Sequence, residues 1–268
     1  MDNTAANTGT GAGELLFEAA DGIGLVTFNR PQARNALTFG MYQGLARICA
    51  GAEGQGLQAL LITGAGGKAF AAGTDIAQFR DFKTADDGIQ YEKTMDEVLS
   101  QIEACPVPTI AAISGACTGG GAAIAAVCDI RIATKDMKFG FPIARTLGNC
   151  LSITNVARLV ALLGQARVTD LIFTARLMGA EQAFGCALVS ELHDTDAALQ
   201  TRARALAVEI AGHAPLTLRA TKQMMLRLRH SQPAIDDTDL IALCYTSADF
   251  REGLQSFLAK KKPVFTGR

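Results

Sequence analysis

Two glycine-bearing loops constrain this chain more than any other feature: Phe70-Ala71-Ala72-Gly73-Thr74-Asp75-Ile76 and Gly115-Ala116-Cys117-Thr118-Gly119-Gly120-Gly121. Each follows an apolar, β-rich run, Leu57 to Thr63 in the first case and Pro108 to Ile113 in the second. Glycine permits turns and close approaches that a Cβ blocks, so each loop can aim a backbone N–H at one shared point. Paired donors of this kind suit an oxyanion. Carboxylates are missing beside them: no Asp, Glu or His occurs between Ala104 and Val127, nor between Met137 and Thr169. Groups to hold an anion are therefore legible, whereas a group to move a proton is not.

The flanking pattern predicts an α/β fold. Glu14 to Ala19 and Gly22 to Asn29 read as a hairpin about Asp21-Gly22. Thr38 is placed to cap a helix carrying Met41, Leu45, Ile48 and Cys49, which Gly51 stops. Asp87 to Ala104 sets Tyr91, Met95, Val98, Leu99 and Ile102 on one helical face and ends ahead of Pro106 and Pro108. A strand over Pro108 to Ile113, a helix over Gly119 to Val127 and a strand over Asp129 to Ala133 follow. Helices between mostly parallel strands point to α/β rather than α+β architecture. From Ile153 onward the pattern is mainly helical. Three regions result: a disordered tail over 1–13, a core over 14–199, and a helical region over 200–268 with a soft boundary near Gln200.

Composition narrows the function classes. The 268 residues are 49% hydrophobic, enough for one large core. With 25 basic and 26 acidic residues the net charge is −1, so no global field favours nucleic acid or an anionic membrane. No segment reaches the ~18 uninterrupted apolar residues of a membrane span. The seven cysteines lack CxxC spacing, and Cys49, Cys117, Cys128 and Cys244 sit in apolar runs, which suits reduced core thiols in the cytoplasm better than disulfides or zinc. The glycine loops match neither a dinucleotide fingerprint nor a Walker loop, and no metal or separate cofactor is expected.

Four segments, in order, resemble the crotonase superfamily, the enoyl-CoA hydratase/isomerase family: Asn29 to Leu37, Ala69 to Ile76, Ala111 to Asp129, and Asp249-Phe250-Arg251-Glu252-Gly253 with Phe257. The likeness runs from Glu14 to Arg268. It implies a spiral of ββα repeats, a C-terminal helical trimerisation region, a homotrimer or dimer of trimers, and an acyl-CoA thioester as substrate, CoA entering as part of it. It also implies that the N–H groups of Thr74 and Gly120 grip the thioester oxygen, Gly120 opening a helix whose dipole favours enolate charge. Arg34, Ala36, Ala72, Asp75 and Ile76 would surround CoA, and Lys260, with Lys261 and Lys262, is either a further phosphate contact or a solvated charge run.

One departure stands out. Hydratases of this family carry glutamates at the positions occupied here by Ala123 and Ile143, and neither replacement moves a proton. Near them lie Arg145, Thr146, Asn149, Cys150 and Ser152. Of Glu92, Asp96 and Glu97 on the preceding helix, Asp96 is the candidate base, because a dehalogenase branch of the family places a histidine near it; an exposed helix carboxylate is the alternative. Cys150 reads as a lining thiol, since His193, His213 and His230 all fall in the last third. Arg145 with Asn149 suits a substrate carboxylate and hence decarboxylation of a malonyl-type thioester. Isomerisation, decarboxylation, thioester hydrolysis and noncatalytic acyl-CoA binding therefore stand as readings of one oxyanion site.

Overall fold

The computed structural model describes residues 13–229 and 235–268, so His230 and nearly all of the expected N-terminal tail fall outside the described residues. Strands β1 (Leu15–Ala20) and β2 (Ile23–Phe28) pair antiparallel with Ala20 opposite Ile23. Asp21 and Gly22 between them have φ of 51° and 76°, the two positive values that a tight hairpin turn of matching twist requires. Helix α1 (Phe39–Gly51) starts at Thr38, whose side chain accepts from Met41 N–H. Strand–strand–helix units follow: β3 (Ala59–Gly64), β4 (Ala69–Ala71) and α2 (Ala85–Glu103); then β5 (Thr109–Ile113), β6 (Ala116–Thr118) and α3 (Gly120–Val127); then β7 (Ile130–Thr134), β8 (Lys138–Gly140), α4 (Ile153–Leu163) and α5 (Gln165–Thr174). Beyond them lie β9 (Met178–Gly179), α6 (Ala180–Gly185), β10 (Glu191–His193), α7 (Asp196–Ala211), α8 (Pro215–Arg229), α9 (Thr238–Tyr245) and α10 (Ala248–Leu258).

The first strand of each unit joins a six-stranded sheet of order β1-β2-β3-β5-β7-β10, parallel from β2 onward. Each second strand joins a four-stranded sheet, β4-β6-β8-β9. The mixed α/β class is as the sequence predicts, but the second sheet is not legible in it. Residues 69–71 and 116–118 read as the beginnings of glycine loops, because three residues are too short to display a period of two. Their pairing partners are other short segments brought together by the fold.

Both faces of the larger sheet are buried, which explains the uninterrupted apolar runs. On β3, Leu60 and Ile62 face the main core with α1, α2 and α3, while Ala59 and Leu61 face Leu199, Ala203, Leu206 and Ile210 of α7. Gln200 lies inside α7. A third cluster of Phe79, Leu147, Ile241, Tyr245, Phe250 and Leu254 ties α9 and α10 to α2 and to the segment after β8. Two glycines allow that docking. A Cβ on Gly88 of α2 would collide with the Tyr245 ring, and one on Gly253 of α10 with the Leu147 carbonyl. Among the described residues no helix is long and apolar enough to cross a membrane.

Candidate active site

The first glycine loop is clamped from both sides. Leu37 N–H donates to Gly73 O at 2.8 Å, and Asp75 N–H donates to Leu37 O at 2.8 Å. Because successive amides along an extended segment point in opposite directions, the Thr74 N–H between these bonds is turned away from Leu37. In the second loop Gly119 N–H donates to Gly140 O at 3.0 Å, and Gly120, the first residue of α3, has no carbonyl a turn earlier in its helix to bond. Among the described residues neither Thr74 N–H nor Gly120 N–H has a protein acceptor. The loops touch: a Cβ on Gly119 would lie 3.4 Å from Gly73 Cα, and one on Gly120 would lie 3.2 Å from Thr74 Oγ1 and collide with the Tyr42 hydroxyl. Gly120 is thus required sterically. The Thr74 hydroxyl is held by Tyr42 Oη at 2.9 Å and Tyr91 Oη at 3.1 Å.

These loops border a cavity of about 590 Å³ whose walls include Met95, Leu99, Phe141, Ile143, Leu151 and Leu177. Of the residues singled out from sequence, Arg34, Ala36, Ala72, Thr74, Asp75, Ile76, Gly120, Ile143, Thr146 and Asn149 line it. Arg34 is exposed and left-handed, at φ 51°. Asp75 is committed locally, to Arg30 Nη2 at 2.9 Å and to Ala77 N–H at 3.1 Å. Thr146 spends its hydroxyl on Pro142 O at 2.9 Å.

Five others lie outside this lining. Ala123, on α3, packs against the main core. Arg145 is exposed at the end of the short 3₁₀ turn Pro142–Arg145, so it does not join Asn149 in the cavity. Lys260 is exposed two residues beyond Leu258, which does line it. Cys150 shares a hydrogen bond with the Cys244 thiol; that bond and burial push its pKa up, away from thiolate character. Asp96 lines a second cleft with Lys93, Thr154 and Asp237, which Glu92 also borders; there Ser152 Oγ donates to Asp96 at 2.7 Å and Arg158 lies at 3.4 Å.

Besides Asp75, the cavity is bordered by the buried carboxylate of Glu92, one helical turn before Asp96 and only 3% exposed. Tyr245 Oη donates to its Oε1 at 2.6 Å and Ser152 N–H to its Oε2 at 3.1 Å. Burial pushes its pKa up from an ordinary 4.5 to about 7 against the pull of those two bonds, with the charges of Asp96 and Asp237 adding to the rise. Asn149 Nδ2 donates to Tyr245 Oη at 3.2 Å, while Asn149 Oδ1 is buried without a partner among the described residues. Glu92, Tyr42, Tyr91 and Tyr245 are the site residues that sequence reasoning did not select. A signal existed for Glu92, since it shares the buried stripe of α2 with Met95 and Leu99 at helical spacing. None existed for Tyr245, which arrives from α9. Two free amides, an apolar cavity and one buried carboxylate together suit chemistry in which negative charge develops on a carbonyl oxygen and a proton moves at carbon.

A family model for enoyl-CoA hydratase/isomerase matches residues 18–268. The chain belongs to that family. It is therefore a member of the crotonase superfamily and an acyl-CoA enzyme by that membership. An enoyl-CoA isomerase/hydratase of Mycosarcoma maydis is 32% identical over 260 residues, which cover 92% of this chain and 93% of the relative. Among solved structures, an enoyl-CoA hydratase/carnithine racemase from Magnetospirillum magneticum is 34% identical, covers 95% of this chain and 96% of its own, and has a TM-score of 0.76. A methylmalonyl-CoA decarboxylase in complex with 2-nitronate-propionyl-CoA shares the fold, with a TM-score of 0.85 over 95% of this chain and 99% of its own at 23% identity.

Proposed function

We propose that this family member binds an acyl-CoA thioester with its carbonyl oxygen between Thr74 N–H and Gly120 N–H, stabilises the enolate, and shifts a carbon–carbon double bond rather than adding water. The observation that carries this reading is the pair of amides without acceptors at an apolar cavity. Each donor of such a hole is worth roughly 3 kcal/mol of transition-state stabilisation. CoA would run along Arg34, Ala36, Ala72, Asp75 and Ile76 at the cavity wall, with Arg34 free to reach phosphate and Lys260 near the same rim. CoA is part of the substrate, and the reading needs no other cofactor. A double-bond shift needs one group that gives back the proton it takes, whereas hydration needs water activated and Cα protonated, and the family positions for those two tasks here hold Ala123 and Ile143.

Arg145 is exposed and absent from the cavity lining, which favours this reading over a decarboxylation that would use it to hold a substrate carboxylate. The exposed Leu216, Met224 and Met225 of α8 favour subunit contacts in a homotrimer or dimer of trimers, and the seven free thiols suit the cytoplasm. The test is turnover of crotonyl-, 3-enoyl-, methylmalonyl- and 3-hydroxyacyl-CoA by purified protein, read by mass spectrometry after chromatographic separation of the double-bond isomers. A shifted double bond in the 3-enoyl thioester supports the reading. Rapid hydration of crotonyl-CoA, loss of CO₂ from methylmalonyl-CoA, or binding without product each replaces it with the corresponding alternative.

A further inference from the structure

Two carboxylates line the cavity, Asp75 and Glu92, and only one is available for chemistry. Asp75 is paired with Arg30 and caps a backbone turn. Glu92 is paired with no cation among the described residues; it has one donor on each oxygen, which leaves each oxygen a further lone pair. Burying a carboxylate in this way costs stability, and burial of so little-compensated a group is characteristic of a site that uses it. Its support is elaborate for a helix carboxylate. Gly88 lies one turn earlier on α2 and makes room for the Tyr245 ring, and Ser152 reaches in from the start of α4.

Resting on the acyl-CoA reading above, we propose that Glu92 on α2 is the catalytic residue that moves the proton in this enzyme, with Tyr245 as its positioning residue. The substrate class is a β,γ-unsaturated acyl-CoA thioester. The Glu92 carboxylate takes the Cα proton; the C–H electron pair becomes the Cα=C1 bond and the charge moves through to the thioester oxygen, held by Thr74 and Gly120 N–H. The oxygen's electron pair then returns, and Cγ takes the same proton from the Glu92 carboxyl. The double bond has moved from Cβ=Cγ to Cα=Cβ, Glu92 is a carboxylate again, and neither water nor any other reactant is consumed. This base stands on α2, away from the segments that carry Ala123 and Ile143, so their lack of acid–base groups does not leave the site without one. Asn149 Oδ1, a buried acceptor with no donor among the described residues, adjoins the same network through Asn149 Nδ2 and Tyr245.

The experiment follows conversion of a 3-enoyl-CoA to its 2-enoyl isomer by the ultraviolet absorbance of the conjugated thioester, with wild type, Glu92→Gln, Glu92→Asp and Asp96→Asn, and binding of a saturated acyl-CoA is measured in parallel. Glu92→Gln is expected to lose roughly 10²- to 10⁴-fold in turnover and to bind the saturated thioester within about threefold of wild type. Should Glu92→Gln fail to fold, Glu92→Asp, which keeps the carboxyl one methylene back, is expected to retain turnover reduced by at least about tenfold at similar binding. Turnover of Glu92→Gln within about threefold of wild type overturns the proposal, as does a loss found in Asp96→Asn but not in Glu92→Gln. A wild type that neither binds nor converts any acyl-CoA instead refutes the acyl-CoA reading, so the two failures are distinct.

Discussion

Raising the pH should weaken this fold through Glu92, and the size of the effect follows from its burial. An ordinary glutamate value near 4.5 becomes about 7 in the folded protein, with desolvation the largest cause. A raised value means that the fold favours the protonated carboxyl. The stabilising contribution is fully present below about pH 4.5 and is lost as pH rises through about 7. At about 1.4 kcal/mol per pH unit the whole effect is about 3 kcal/mol, most of it between about pH 5 and about pH 8. In Glu92→Gln the side chain is neutral throughout. Its amide can still accept from Tyr245 but meets Ser152 N–H poorly, a constant cost that does not change with pH. Urea unfolding of both proteins at about pH 5 and about pH 8 isolates the titration, because every other group cancels in the difference. Glu92→Gln should gain about 2 to 3 kcal/mol relative to wild type between the two conditions. A difference that stays constant with pH would show that Glu92 is charged and solvated in the fold, and the account of its burial would be wrong.

Gly120→Ala should fold yet lose at least about 100-fold in kcat, because its methyl cannot coexist with the Tyr42 hydroxyl and the first turn of α3 must shift; circular dichroism and turnover together check this. Gly88→Ala should cost about 1–3 kcal/mol by crowding the Tyr245 ring. Since the Tyr245 bond holds the Glu92 pKa down, its loss should also move the midpoint of the rising limb of the pH–rate profile to higher pH. Arg158→Met should destabilise by roughly 3 kcal/mol in urea unfolding, because Asp96 loses its ion pair and Glu103 loses one of its two arginine partners among the described residues.

Local rules were enough for the elements that local interactions build. The Asp21-Gly22 turn, the Thr38 cap, the apolar stripe of α2 and the runs that became β3 and β5 are written in neighbouring residues, and the ordered glycine segments carried the family with them. The approach of the two loops was legible for the same reason, since each loop's glycines announce a close contact before its partner is known, whereas Thr74 and Gly120 as the particular donors were implied by the family resemblance. Glu92 was visible too, on the same stripe as Met95 and Leu99, but a carboxylate on a buried face reads as an error until something accounts for it. What accounts for it comes from 60 residues away in Ser152 and 153 away in Tyr245. Glu92 and Asp96 differ by one helical turn, about 5.4 Å, and of the two only Glu92 borders the cavity that holds Thr74 and Gly120. Packing of α9 and the start of α4 against α2 supplies the partners of both carboxylates, and the second sheet likewise exists only through pairing among short strands distant in sequence. Backbone propensity and hydrophobic period act over a few residues, whereas desolvation and hydrogen-bond partnership exist only once distant segments share a volume.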